Sequence, residues 1–169
     1  MDEQSLFFTS IVAISATGLM LLALQFLAKK QNIQLQNENK INLSFSIWAS
    51  SIMVAFFIFL KIALGQIENS IEIIIYSKTI DNTFWAVMQK IIIFLGFTFI
   101  FTFLSYFVID NLLNFLIGKR SSKIENDNEN IGYFFLKGIV LLFLVYSVST
   151  LFEHFLGWFM PVVETPFYH

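Results

Sequence analysis

Four long apolar stretches limit what this chain can fold into. They run from Leu6 to Ala28, Leu43 to Ala63, Ile91 to Ile117 and Gly132 to Met160. A bilayer core about 30 Å thick is crossed by roughly 20 apolar residues in a helix, and each stretch reaches that length. Only 13% of the 169 residues are charged, whereas ordinary soluble domains carry about 25%. The sequence therefore predicts an all-α membrane protein with four transmembrane helices, here called spans one to four.

The four spans follow one plan that is repeated twice. In each half, a short loop with a basic pair and an Asn-Glu-Asn triplet joins two spans. The first loop carries Lys29-Lys30 and Asn37-Glu38-Asn39, and the third carries the equivalent groups 90 and 91 residues later, Lys119-Arg120 and Asn128-Glu129-Asn130. An internal duplication explains this spacing. It predicts two parallel two-helix repeats related by an axis along the membrane normal.

The residues outside the four spans are too few for a separate soluble domain. We predict a single transmembrane domain over 1–169 that consists of repeat one at 6–66, an outer connection at 67–90, repeat two at 91–160 and an outer tail at 161–169.

The outer connection has an apolar segment of its own. Ile67, Ile71, Ile74 and Ile75 fit one face of a helix, with Glu68 and Glu72 opposite. This indicates that span two continues outward as an amphipathic helix at the interface. A short β segment over Ile71 to Tyr76 is the alternative, because short apolar runs are ambiguous by period alone.

Basic residues predict the orientation, since Lys and Arg near span ends are retained in the cytoplasm. Loops one and three hold six of them, and neither terminal segment holds any; the six are Lys29, Lys30, Lys40, Lys119, Arg120 and Lys123. We therefore expect these loops in the cytoplasm and both termini outside, in the periplasm.

Five ionisable residues inside the spans or near their ends are the candidate functional residues: Asp110, Lys137, Lys61, Glu153 and His154. A charge at membrane depth costs at least a few kcal/mol unless it is paired, hydrated or near an end. Asp110 and Lys137 both lie about 8 to 10 Å below the cytoplasmic surface at 1.5 Å per helical residue. We predict that these two lie close together, within one subunit or across a subunit boundary.

A structural role is the alternative for each of these charges. The long side chains of Lys61 and Lys137 can reach the headgroups, and Glu153 and His154 can lie in the membrane interface. Asp110 is too short to reach as far, so it can also line a hydrated interior.

Residues that would carry catalysis or hold a cofactor are missing from the sequence. Cys is absent, which excludes disulfides and thiolate metal ligands. There is no Ser-His-Asp arrangement and no glycine-rich phosphate loop, and His154 with Glu153 is too little for a metal site. We expect no enzymatic activity, no metal and no cofactor. The net charge of −2 gives no reason to expect a nucleic-acid partner.

The Asn residues of loops one and three have a structural explanation. They precede spans two and four, where a side-chain oxygen can accept from the free N–H groups of a helix start. The predicted capping residues lie within Asn37 to Asn42 for span two, Asn37 and Asn39 among them, and are Asn128, Glu129 and Asn130 for span four. The same loops, at 29–42 and 118–131, are the surfaces on which a cytoplasmic protein would dock.

The chain resembles the YjfL-like bacterial inner-membrane proteins, a family of unknown function built from a duplicated two-helix module. The resemblance lies in Ile33 to Ser46, in Tyr106 to Leu113 with Asp110, and in Lys123 to Gly138. It implies a multi-pass protein of the bacterial inner membrane that belongs to a gene neighbourhood concerned with envelope or membrane stress. It supplies no catalytic residues.

Two functions fit these observations. The first is a non-enzymatic membrane protein that oligomerises and responds to membrane or envelope stress, with an anti-phage membrane component as one form of it. The second is a small oligomeric ion channel or transporter that uses Asp110 and Lys137, with Glu153 as a further candidate. Either function requires the lipid bilayer and predicts a homo-oligomer, with contacts through small residues around Ala13, Ser46 and Ser50. Whether Asp110 faces a hydrated axis or a neighbouring Lys distinguishes the two.

Overall fold

The computed structural model of this chain describes residues 3–31, 36–37, 40–76 and 82–161. In this part of the chain, the helices and strands are α1 (Glu3–Lys30), β1 (Gln36–Asn37), β2 (Lys40–Ile41), α2 (Leu43–Tyr76), α3 (Thr83–Ile117), α4 (Ser122–Asp127) and α5 (Ile131–Gly157). The two short strands pair antiparallel, with Gln36 opposite Ile41.

The predicted fold class is confirmed. Within the described residues, α1, α2, α3 and α5 are each long and apolar enough to cross a membrane. They contain 28, 34, 35 and 27 residues, so they measure about 40 to 53 Å at 1.5 Å per residue. The chain is a multi-pass integral membrane protein.

The outer connection is mostly helical. Helix α2 runs without a break to Tyr76, and α3 begins at Thr83 after its cap residue Asn82, whose side chain accepts a hydrogen bond from the Trp85 N–H. The predicted helical continuation of span two is confirmed, and the β segment is wrong. Ile67, Ile71 and Ile74 are buried inside the bundle, as their helical spacing requires, whereas Ile75 is exposed.

Helix α2 is central, since it packs against α5, α3 and α1. Its Phe59 ring lies 4.7 Å from Phe152 on α5 and 6.0 Å from Phe101 on α3, measured between centroids. Helix α1 packs on α2 and only lightly on α3. At the end of the bundle opposite the basic loops, Lys90 Nζ on α3 donates to the backbone carbonyl of Phe159, just after α5, at 2.6 Å.

Helices α2 and α5 run parallel, and their register matches the spacing of the sequence repeat. Ser51 faces Gly138, Phe59 contacts Phe152, and Ser70 donates to the Met160 sulfur. These partners are 87 to 93 residues apart, so residues about 90 apart share the same depth. A twofold axis along the membrane normal requires this match. The extensive contact between α2 and α3 has no equally extensive counterpart between α5 and α1, and the two-repeat arrangement stays a prediction.

Gly138 allows a close approach between α2 and α5. A Cβ at this position would lie 2.1 Å from Ser51 Oγ and 3.0 Å from Ser51 Cβ. Small residues permit this kind of close helix packing inside membranes, where dispersion contacts supply much of the attraction.

We predict that Gly138→Ala lowers the free energy of unfolding by about 1 to 3 kcal/mol, the usual cost of overpacking. Adding Ser51→Gly should recover part of the loss, because it removes both clashing atoms. The control is Gly96→Ala in α3, where nothing lies within 4 Å of an added Cβ. Thermal unfolding in detergent measures all four proteins. Equal stability of the two alanine variants would contradict the proposed contact.

Candidate functional site

The predicted ion pair between Asp110 and Lys137 forms within one subunit. Lys137 Nζ on α5 lies 2.5 Å from Asp110 Oδ1 on α3. The two side chains differ in exposure, at 3% for Lys137 and 34% for Asp110. The ammonium group is therefore enclosed by the bundle, while the carboxylate keeps contact with the surroundings.

Tyr106 is the second partner of the buried ammonium. Its hydroxyl accepts from Lys137 Nζ at 3.0 Å and from Trp48 Nε1 at 3.1 Å, and it donates to Gln31 Oε1 at 3.2 Å. A phenol hydroxyl has one donor and two acceptor sites, and all three are used here. The Tyr106 ring also lies under Lys137, with its centroid 4.5 Å from Nζ, a cation–π distance.

These residues form what we call the polar cluster, defined as Gln31, Trp48, Tyr106, Asp110 and Lys137. Gln31 directly follows α1, Trp48 belongs to α2, Tyr106 and Asp110 to α3, and Lys137 to α5. The cluster therefore links all four long helices at the end that carries the basic loops. A buried ammonium without partners would carry a large desolvation cost, so each of these links contributes to keeping Lys137 inside.

Sequence reasoning missed three members of the cluster. Tyr106 precedes Asp110 by one helical turn, which is a weak signal that both side chains point the same way. Trp48 and Gln31 carry no such signal, because Trp is common near membrane interfaces and Gln31 lies in an ordinary polar loop.

A second group of polar contacts organises loop three. Arg120 Nη1 lies 3.0 Å from Glu125 Oε1, and Asn130 Nδ2 donates to the other carboxylate oxygen at 2.6 Å. Asn130 Oδ1 accepts from the Tyr133 N–H at 3.2 Å, so the predicted capping of span four by Asn130 is confirmed.

The other predicted caps have different outcomes. Asn128 is the C-cap of the short helix α4, and its predicted capping of span four is wrong because it lies two residues before Asn130, the residue that caps α5. The predicted capping of span two within Asn37 to Asn42 is confirmed at Asn42, whose Oδ1 accepts from the Phe45 N–H at 3.3 Å. Asn37 has its backbone in β1, and its side chain, like the whole of Asn39, lies outside the described residues.

The remaining charged candidates lie apart from the polar cluster. Lys61 on α2 and Glu153 and His154 on α5 are all exposed on the outside of the bundle. Among the described residues, the two ion pairs are those of Lys137 with Asp110 and of Arg120 with Glu125, so Lys61 and Glu153 do not pair with each other in a single copy.

Comparison with known proteins gives no relative: no family model, no curated protein and no solved structure matches the chain. The likeness to the YjfL-like proteins stays a prediction from the loop motifs. Within residues 3–31, 36–37, 40–76 and 82–161, no group of three His, Cys, Asp or Glu side chains could hold a metal ion.

A double-mutant cycle tests the ion pair. Asp110→Asn leaves a buried ammonium without its counterion and should cost about 3 kcal/mol of unfolding free energy. Lys137→Met should cost less, because Asp110 is one-third exposed and can be hydrated. The double variant should recover part of the loss, since it strands no charge. Chemical denaturation in mixed micelles measures the four proteins.

Lys29→Met is the matched control, because it removes the same charge from an exposed position on a helix. It should stay within about 0.5 kcal/mol of the parent protein. Strictly additive losses in the cycle would mean that Asp110 and Lys137 do not stabilise each other.

Proposed function

We propose that this chain is a non-enzymatic, homo-oligomeric protein of the bacterial inner membrane that responds to perturbation of the bilayer. One observation supports this above all: the polar cluster connects the ends of four membrane-crossing helices through the Tyr106 hydroxyl, which contacts the buried Lys137 ammonium group. A change in the tilt of any one helix therefore alters the environment of Lys137.

Bilayer thickness acts on these helices. At about 40 to 53 Å each, they exceed a hydrocarbon core of about 30 Å, and long helices respond to thickness by changing tilt. Helix α1 packs lightly on α3, and within the described residues its side-chain link to the cluster is the bond from Tyr106 to Gln31. We infer that this bond yields first when the helices tilt.

Opening the cluster would produce a distinct second state. A closed cluster is dry around Lys137, whereas an open one admits water through the partly exposed Asp110. A small perturbation can then shift the balance between two defined arrangements, as a molecular switch requires. The oligomer would transmit this change to neighbouring copies or to a cytoplasmic protein at the loops.

The position of Asp110 bears on the channel alternative. Its carboxylate contacts Lys137 of the same chain. A carboxylate facing a hydrated axis would favour the channel, whereas one that contacts a Lys favours the membrane-stress protein. The pairing supports a switch more than a conduction path lined by a free carboxylate.

Trp48 can report the state of the cluster directly. We predict that in a Trp85→Phe, Trp158→Phe background the Trp48 emission shifts to longer wavelength when the protein moves from bilayers of matched thickness to thinner or thicker ones. The indole would lose its bond to Tyr106 and meet water. The two replaced Trp side chains are mostly exposed, at 68% and 80%, so their removal should leave the cluster intact.

Asp110→Asn in the same background is the control, because its open cluster should show the longer wavelength in every bilayer. A Trp48 spectrum that is independent of thickness would contradict the proposal. Ion flux through the parent protein in liposomes, lost in Asp110→Asn, would support the channel instead.

A further inference from the structure

One flank of the bundle is formed by α1, α2 and α5, and it carries two grooves. The groove between α2 and α5 has a volume of about 310 Å³, and the groove between α1 and α2 has about 490 Å³. Ser50 lines both, so a low ridge separates two depressions. Larger exposed side chains stand nearby on the same flank, among them Phe57 and Phe135.

Two opposite charges lie on this flank. Lys61 follows Ser50 by eleven residues on α2, and Glu153 follows Leu142 by eleven residues on α5. Eleven residues are close to three helical turns, so each charge lies on the same side of its helix as the groove residue before it. Since Ser50 and Leu142 line one groove, Lys61 and Glu153 project from the same flank.

The two charges also share a depth in the membrane. Contacts between α2 and α5 join residues 87 to 93 apart, and Lys61 and Glu153 are 92 apart. Both are exposed, and neither has an ion-pair partner among the described residues. Each charge therefore faces the lipid or a neighbouring molecule.

Membrane insertion restricts how two copies can meet. All copies have the same orientation, so a closed pair must be related by a twofold axis along the membrane normal. Under such an axis a residue meets only residues at its own depth. Lys61 and Glu153 satisfy this condition, and the axis would form their pair twice, once on each side.

We propose that this flank, formed by α1, α2 and α5 around Ser50, is the interface with a second copy of the chain, and that Lys61 of each copy pairs with Glu153 of the other. The inference rests on the oligomerisation in the proposed function and specifies its surface. Pairing would remove two charges from contact with lipid, which otherwise carries a cost unless they reach the headgroups. The grooves would receive the larger side chains of the opposite copy.

Disulfide trapping tests the surface, and the natural absence of Cys leaves no background. Two differently tagged chains, one with Lys61→Cys and one with Glu153→Cys, are expressed together and oxidised in native membranes. The expected product is a mixed dimer carrying both tags. In the control, one of the two chains carries Ile100→Cys in place of its own cysteine substitution. Ile100 is an exposed position on α3 and lines neither groove. It should form at least tenfold less product.

The outcomes of the trapping experiment separate the proposed surface from oligomerisation itself. A protein whose native mass shows an oligomer, but which gives no mixed disulfide, would overturn the surface and leave oligomerisation standing. A monomer in both measurements would overturn oligomerisation as well. Equal trapping at Ile100 would indicate random collisions and also overturn the surface.

Charge reversal tests the pair itself. Lys61→Glu and Glu153→Lys should each weaken dimerisation in liposomes by about tenfold, and the double reversal should restore it, as coupled charges across an interface do. Lys61→Met with Glu153→Gln provides a second comparison that introduces no new charge, and it should dimerise more tightly than either reversal. Single reversals without effect on dimerisation would overturn the pairing and leave snorkelling as the account of both side chains.

Discussion

The structure depends on enclosing one ammonium group inside an apolar bundle. Lys137 is 3% exposed, and a charge at such a position is tolerated only with strong partners. Asp110 supplies the opposite charge, and the Tyr106 hydroxyl supplies an acceptor that is itself held by Trp48 and Gln31. Every long helix contributes to this one network. Misplacing any of them would leave a buried polar group unsatisfied, so the cluster fixes the relative positions of the helices at that end.

Close packing and the polar cluster support each other. Gly138 follows Lys137 directly, and its contact with Ser51 lies one turn beyond Trp48. This close contact between α2 and α5 is therefore at the level of the ion pair, which restricts the space around Lys137. The opposite end is held differently, by the contact between the Phe97 and Phe159 rings and by the bond from Lys90 to the Phe159 carbonyl. The two ends of the bundle can thus respond differently to the same change in the membrane.

The sequence predicts those parts of the structure that depend on single residues or on long patterns. Span length and composition are sufficient for four membrane helices, and a charge in an apolar span is conspicuous by itself, which is why Asp110 and Lys137 could be predicted to pair. Tyr106, Trp48 and Gln31 could not, because their roles depend on how the helices are rotated against one another. Helix α4 was also missed, because six residues with a single apolar member, Ile124, show no periodicity; Asn128 ends this helix instead of capping α5. The repeat, the orientation and the family likeness stay predictions.

The polar cluster holds together the helix ends that carry the basic loops, and a distance measurement at that end tests this most directly. Spin labels at Lys30→Cys on α1 and Ile117→Cys on α3 report the separation of the two helix ends by electron–electron resonance in liposomes, and labels at Phe8→Cys and Tyr76→Cys report the opposite end. Tyr106→Phe removes the hydroxyl that joins four side chains. In Tyr106→Phe, the distance distribution between the labels at 30 and 117 should become longer and broader, and that between the labels at 8 and 76 should stay unchanged. An unchanged distribution for both pairs would contradict it.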